Sequence, residues 1–104
     1  MDELKDELIV FQRERDWKKF HTPENLAKSI SIESAELLEH FQWGKEYDVG
    51  EVSEELADVL IYCIYMADAL DLDIKEIIQD KMVKNALKYP VDKSKGNVKK
   101  YTEF

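Results

Sequence analysis

The most apolar segment of the chain reads Val59-Leu60-Ile61-Tyr62-Cys63-Ile64-Tyr65-Met66-Ala67. Its residues do not alternate between apolar and polar, as those of a half-buried strand do, and they cover every side of a helix. Upstream the apolar positions narrow to one face, where Val52 and Leu56 precede Val59 at helical spacing. The pattern predicts a helix over about residues 51–70 with packing neighbours on more than one side. We expect this helix to be the central element of the fold.

Turn signals on both sides of this helix divide the rest of the chain into three further helices. Thr22 and Pro23 form a start signal, because threonine caps helices and proline fits their first turn. Asp73 starts the last helix, and Pro90 ends it because the residue before a proline disfavours helical geometry. The four predicted helices cover about residues 2–17, 23–42, 51–70 and 73–89, and residues 91–104 are predicted to be irregular. The sequence therefore predicts an all-α bundle in one domain spanning residues 1–104.

The chain is short and acidic. It has 104 residues, with 23 Asp and Glu against 15 Lys and Arg and a formal net charge of −8. This charge argues against a nucleic-acid-binding surface, and the least polar stretch, Val59 to Leu70, is too short to span a membrane. The single cysteine, Cys63, and a charged N-terminus without a signal-peptide core predict a cytoplasmic location. A core of this size is marginal for a monomer, so we expect a homo-oligomer.

Two pairs of acidic residues with the same three-residue spacing occur on the second and third predicted helices. Glu33 and Glu36 form the first pair, and Glu55 and Asp58 form the second. On a helical wheel Glu33 lies among apolar residues, and Glu55 lies on the same side as Val59. If the apolar faces of the second and third helices pack together, the four carboxylates come into partly dehydrated surroundings. A hard divalent cation such as Mg²⁺ relieves the repulsion between them. The alternative is that all four are solvated charges on helix faces.

The fourth predicted helix changes character along one face. This face begins with the apolar residues Ile74 and Ile78. At the same helical spacing it continues with the polar residues Lys81, Asn85 and Lys88. A cationic line that faces inward beside acidic groups suits the phosphates of a metal-bound polyphosphate. The alternative is that the end of the helix reaches solvent, where its lysines interact with the negative end of the helix dipole.

Aromatic side chains are concentrated near the ends of the first two helices. They are Trp17, Phe20, His21, Phe41 and Trp43. Flat side chains at the mouth of a pocket stack on nucleobases and contribute about 1–3 kcal/mol each, whereas the alternative is ordinary core packing. The spacing of the histidines and the cysteine does not match a zinc site, and the sequence has no glycine-rich phosphate loop.

An ordered set of motifs extends over nearly the whole chain. The motifs are Glu14-Arg15-Asp16-Trp17, Phe20-His21, Pro23-x-Asn25-Leu26, Glu33-x-x-Glu36-Leu37, Phe41-Gln42-Trp43, Glu54-Glu55-Leu56-x-Asp58-Val59-Leu60-Ile61-Tyr62, Lys81-Met82, Asn85, Lys88-Tyr89-Pro90 and Lys100-Tyr101-Thr102-Glu103. Together they resemble the MazG-like nucleoside triphosphate pyrophosphohydrolases, and within that family the dCTP pyrophosphatase branch.

The resemblance implies a four-to-five-helix bundle that assembles as a homodimer or homotetramer. It implies hydrolysis of a nucleoside triphosphate, dCTP or a related pyrimidine nucleotide, to the monophosphate and pyrophosphate. The implied ligands of Mg²⁺, or of Mn²⁺ as a substitute, are Glu33, Glu36, Glu55 and Asp58. The implied base and sugar pocket consists of Trp17, Phe20, His21, Trp43 and Tyr62. The implied phosphate contacts are Lys81, Asn85 and Lys88.

The resemblance also bears on catalysis and on base preference. Glu36 or Glu39 is expected to accept a proton from the attacking water. Leu8 stands where dCTP enzymes of the family place a histidine, so the preferred base stays open.

Two other functions compete with this interpretation. One is a non-catalytic helical interaction module whose acids are surface charges and whose third helix is a dimer seam. The other is an enzyme that acts on a different phosphate ester or anhydride. The pyrophosphohydrolase and the alternative enzyme would both show turnover that depends on a metal ion, whereas the interaction module would show no turnover.

Overall fold

The computed structural model describes residues 2–96, and within this range all regular secondary structure is helical. This confirms the predicted all-α fold class. The helices are α1 (Asp2–Glu14), α2 (Pro23–Glu39), α3 (Val49–Ala69), α4 (Ile74–Lys88) and α5 (Val91–Ser94), with a 3-10 turn at Lys18–Phe20 between α1 and α2. The chain divides into two compact units, Met1–Asp71 and Leu72–Phe104.

The first helix ends before its predicted end near Trp17. Asp16 adopts the left-handed conformation with φ of 53°, which aspartate tolerates better than most residues. The backbone N–H of Trp17 then donates to the carbonyl oxygen of Gln12 at 3.0 Å and closes the helix end in a Schellman-type arrangement. The chain continues into the Lys18–Phe20 turn, which the sequence pattern did not predict.

Side-chain caps fix where the long helices begin. The hydroxyl of Thr22 accepts from the N–H of Asn25 at 3.2 Å at the start of α2, as predicted. A carboxylate does the same for α4, where Asp73 accepts from the N–H of Glu76 at 2.9 Å. The cap of α3 is Asp48, so this helix starts two residues before the predicted Glu51.

The third helix is the centre of the first unit, as its composition predicted. It packs against both α2 and α1, and the core consists of Leu26 from α2 with Ile64, Tyr65 and Ala67 from α3. The phenol of Tyr65 donates to the carbonyl oxygen of Leu8 at 3.0 Å, which ties α1 to α3. This arrangement brings the middle of α2, the middle of α3 and the end of α1 close together.

Many large apolar side chains are exposed on this single chain. Leu60 in the apolar segment of α3 is 54% exposed, and Leu87 on α4 is 80% exposed. On α4, Ile74 is half-buried but Ile78 is exposed, so the expected stripe is only partly covered within one chain. These surfaces are the kind that a monomer rarely leaves open to water.

The second unit contains α4 and the short helix α5. The sequence predicts an irregular segment from Val91 onward, but Val91–Ser94 forms one helical turn. It forms because the carbonyl oxygen of Pro90 accepts from the N–H groups of Lys93 and Ser94 at 3.0 and 2.9 Å. The rest of the predicted irregular tail, residues 97–104, lies outside the described residues. No helix in the described part of the chain combines the length and apolarity needed to cross a membrane.

Candidate active site

Acidic residues from two neighbouring helices meet in the first unit. Glu33 of α2 and Glu55 and Asp58 of α3 each place one carboxylate oxygen so that all three oxygens lie within 4.8 Å of one another. The spacing follows from the helix register, because Glu55 and Asp58 are one turn apart on α3 and face the same stretch of α2. We call these three residues the acidic cluster.

The acidic cluster is electrostatically strained. The Oε2 atoms of Glu33 and Glu55 are inaccessible to solvent and have no hydrogen-bond partner among the described residues. Burial, followed by interactions with Glu36 and Glu55, raises the pKa of Glu33 to about 7. Burial is also the main cause that raises the pKa of Glu55. Two carboxylates hydrogen-bond only through a proton on one of them, so the cluster favours a shared proton or a bound cation.

The donor set of the cluster fits a hard divalent cation. Carboxylate oxygens are the ligands that Mg²⁺ and Ca²⁺ prefer, and a cation between these three carboxylates would relieve their mutual repulsion. Glu36 is half-buried beside the cluster, and its charge raises the pKa values of Glu33 and Glu55, although its oxygens lie outside the 4.8 Å group. Glu39, one turn further along α2, is exposed.

A cavity of about 350 Å³ adjoins the acidic cluster. Its lining is mainly aromatic and aliphatic and comes from α1, α3 and the segment between α1 and α2. The lining residues are Leu8, Phe11, Trp17, His21, Asp58, Ile61, Tyr62 and Tyr65. Asp58 belongs to both the cavity wall and the acidic cluster. Burial and then the charges of Glu33, Asp58 and Glu36 raise the pKa of Tyr62. The phenol of this lining residue is therefore protonated.

His21 lies among the aromatic rings of the cavity. Its ring centroid is 5.1 Å from that of Tyr65 and 6.2 Å from those of Tyr62 and Trp17. Its Nδ1 atom is 2.7 Å from the side-chain nitrogen of Gln12. Burial lowers the pKa of His21, so the imidazole is neutral at neutral pH. The cavity therefore offers flat apolar faces together with a few polar groups, which suits a planar heterocycle.

Comparison with known proteins identifies the family. A family model described as MazG-like matches residues 28–104. The chain belongs to the MazG-like family. It is 38% identical over 104 residues to dCTP pyrophosphatase 1 of Mus musculus and 36% identical to that of Homo sapiens, in each case over 90% of this chain. The match spans 61% of the length of each of these relatives.

A solved structure shares the fold of this chain at higher sequence identity. It is a pyrophosphatase from Archaeoglobus fulgidus, with 49% sequence identity and a TM-score of 0.81 over 86% of this chain and 92% of that chain. These comparisons confirm the family resemblance read from the motifs. They also agree with the all-helical fold of the described residues.

The structure places three of the five residues expected in a MazG-like base pocket around the cavity. Trp17, His21 and Tyr62 line it, whereas Phe20 is 59% exposed and Trp43 is 89% exposed, and neither contributes to the lining. Phe20 is the last residue of the 3-10 turn. Trp43 lies in the turns that follow α2.

Four of the lining residues are not among the predicted site residues, although the resemblance already connects one of them, Leu8, with base preference. They are Leu8, Phe11, Ile61 and Tyr65. Leu8 and Phe11 are three positions apart on α1, and Tyr65 follows Tyr62 by three positions on α3, so each pair shares one helix face. The helical spacing contained the signal, but an apolar stripe has the same pattern whether it lines a cavity or fills a core.

The expected phosphate contacts lie on the second unit. Lys81, Asn85 and Lys88 follow one another at helical spacing on α4, and all three are exposed. Their proximity to the acidic cluster stays a prediction, as do the roles of all the site residues.

Proposed function

We propose that this protein hydrolyses a nucleoside triphosphate to the monophosphate and pyrophosphate in a reaction that requires Mg²⁺, with dCTP or a related pyrimidine nucleotide as substrate. The observation that carries the proposal is the position of Asp58 in both the acidic cluster and the cavity wall. A nucleoside triphosphate consists of a flat heterocyclic base, a sugar and a chain of negatively charged phosphates. An aromatic cavity that adjoins a cation site suits both parts of such a molecule.

Glu33, Glu55 and Asp58, with Glu36 beside them, are the residues that would hold the metal ion. When bound, Mg²⁺ or Mn²⁺ supplies Lewis-acid chemistry that offsets negative charge on the leaving pyrophosphate and makes water more acidic. The buried and unpartnered oxygens of Glu33 and Glu55 support this assignment.

The residues of the cavity would bind and orient the base and sugar. Trp17 and Tyr62 present aromatic faces, and His21 presents a neutral imidazole. We assign Lys81, Asn85 and Lys88 to the phosphates on their shared face of α4 and on the family resemblance.

Hydrolysis adds water across the bond between the α- and β-phosphates, and a nearby base accepts the proton of that water. Of the two candidate bases, Glu36 is the better supported, because it is half-buried beside the acidic cluster. Glu39 is exposed. A base next to the cluster is within reach of a water that the same site positions.

The exposed apolar surfaces of α3 and α4 support self-association of this chain as a homodimer or homotetramer. A second copy would cover side chains such as Leu60 and Leu87. The proposal includes no nucleic-acid partner, in line with the net charge of −8. Cytoplasmic location stays a prediction that rests on the single cysteine.

A panel of the common ribo- and deoxyribonucleoside triphosphates with Mg²⁺, analysed by chromatography, tests the proposal. Release of pyrophosphate with the monophosphate supports it, whereas stepwise loss of phosphate identifies a different phosphohydrolase. Turnover should disappear in Glu55→Gln and persist in Glu54→Gln, which makes the same change on the exposed neighbouring residue. A folded protein without turnover across the panel and a set of modified cytosine nucleotides would favour the interaction module.

A further inference from the structure

Gln12 is a buried polar residue next to the cavity. It is 3% exposed, and among the described residues no other amide or charged side chain is buried as deeply. It lies on α1 but does not line the cavity itself. Burial of a carboxamide is unfavourable unless its polar atoms are hydrogen-bonded, so its partners carry information about its role.

Both ends of Gln12 contact residues of the cavity wall. Its backbone carbonyl oxygen accepts from the N–H of Trp17 at 3.0 Å, and its side-chain nitrogen is 2.7 Å from Nδ1 of His21. Trp17 and His21 both line the cavity. A single residue behind the wall therefore fixes the backbone of one lining residue and the ring of another.

The hydrogen bond between Gln12 and His21 determines where the imidazole proton lies. The side-chain nitrogen of Gln12 is the atom that faces Nδ1 of His21, and a carboxamide nitrogen donates, so this geometry assigns Nδ1 as the acceptor. In a neutral imidazole the proton is then on Nε2. The aromatic rings of Tyr62, Tyr65 and Trp17 surround His21, and its burial favours the neutral form.

We propose that Gln12 is a positioning residue that holds His21 as the Nε2–H tautomer, so that the cavity presents a hydrogen-bond donor to its ligand. With Nδ1 occupied by Gln12, Nε2–H is the hydrogen-bonding group that His21 has left for a bound molecule. The site then selects a base or sugar with an acceptor at that point, such as a carbonyl oxygen or an unprotonated ring nitrogen. This specificity rests on the proposed function, whereas the tautomer does not.

The competing explanation is that Gln12 only fills space and satisfies its own polar atoms. That explanation predicts a loss of stability when Gln12 is replaced but no particular tautomer of His21. The two are separated by the ring nitrogens themselves, which distinguish protonated from unprotonated positions in ¹⁵N NMR spectra.

The experiment records long-range ¹H–¹⁵N spectra of the histidine rings, with His40→Asn to assign the signals of His21. In the wild type we expect an unprotonated Nδ1 and a protonated Nε2. We also expect slow exchange of the Gln12 side-chain amide, in contrast to those of the exposed Gln42 and Gln79. Nδ1 protonated in the wild type, or an amide of Gln12 that exchanges as fast as the other two, would overturn the proposal without any variant.

Two variants test the control of the tautomer. In Gln12→Glu a carboxylate replaces the donor, so the proton should move to Nδ1 or the ring should become doubly protonated. In Gln12→Met the ring should show a mixture of tautomers. Gln79→Met makes the same change on an exposed helix position and should leave the spectrum of His21 unchanged. A folded Gln12→Glu variant with an unchanged tautomer contradicts the proposal.

Kinetics then test the link to specificity. Loss of one neutral hydrogen bond to the ligand predicts about a threefold to tenfold higher KM in Gln12→Met, with kcat changed much less. A changed tautomer with an unchanged KM would overturn the specificity role while leaving the tautomer assignment standing. Lack of nucleotide turnover in the wild type counts against the proposed function and leaves the NMR result unaffected.

Discussion

Glu33 on α2 and Glu55 on α3 direct carboxylate oxygens into one cluster, and on each residue the Oε2 atom is buried without a hydrogen-bond partner among the described residues. Carboxylates that lie close together with buried oxygens repel, and a protein keeps such an arrangement when a proton or a cation relieves the repulsion.

Binding of Mg²⁺ should raise the thermal stability of the protein, because the ion binds the folded cluster and not the unfolded chain. At a concentration 100 times its Kd the expected gain is about 2.7 kcal/mol. Thermal unfolding with MgCl₂, compared with NaCl at matched ionic strength, measures it. Glu33→Gln should lose most of the gain, and equal gains in this variant and the wild type would contradict a cation site in the cluster.

Without metal, the stability contributed by Glu33 should fall as the pH rises. Its pKa is about 7 in the folded protein against an ordinary value of 4.5, so between these values the folded state binds a proton that the unfolded state has lost. The favourable effect of this proton is fully present below about pH 4.5 and is lost as the pH rises through about 7. Glu33→Gln removes the titrating group, so in chelator its stability relative to the wild type should increase over that interval. A difference that does not change with pH would contradict the shifted pKa.

Tyr65→Phe should destabilise the first unit by about 1 kcal/mol, because it removes a buried hydrogen bond to the carbonyl oxygen of Leu8. The same bond ties α1 to α3 on either side of the cavity, so KM for the nucleotide should also rise. Urea unfolding and steady-state kinetics measure the two effects. Tyr47→Phe, at an exposed position, is the matched control and should change neither.

The protein should be an oligomer in solution, because α3 and α4 leave large apolar side chains exposed on the single chain. Size-exclusion chromatography with light scattering should give a multiple of the 12.3 kDa chain mass. Leu60→Asp places a charge in the exposed part of the apolar segment and should shift the mass toward that of one chain. A wild-type mass of 12.3 kDa at micromolar concentration would contradict self-association.

The features that the sequence predicts correctly are those that depend on local chemistry. Thr22 and Asp73 cap helices where they were expected to, because a cap needs only one side chain and a backbone N–H three residues away. The helix register also predicts the meeting of Glu33 with Glu55 and Asp58, since a carboxylate on an apolar stripe has to face the neighbouring helix.

The features that the sequence pattern misses depend on conformation at single residues or on contacts distant in sequence. The left-handed Asp16 ends α1 early, and no glycine is present there to indicate it. Glutamine is usually an exposed residue, and the contact with His21, nine positions away, accompanies the burial of Gln12. Phe20 and Trp43 have the aromatic character of pocket residues, but the turns in which they lie leave them exposed.

Asp58 gives the two halves of the site a shared wall, and thermodynamic linkage follows from that. An ion that neutralises Asp58 changes the electrostatic potential at a nucleoside bound in the aromatic cavity. By reciprocity, the ion changes the affinity of the protein for the nucleoside by the same factor as the nucleoside changes its affinity for the ion. Nucleoside and cation, titrated in either order, should therefore report one and the same coupling free energy.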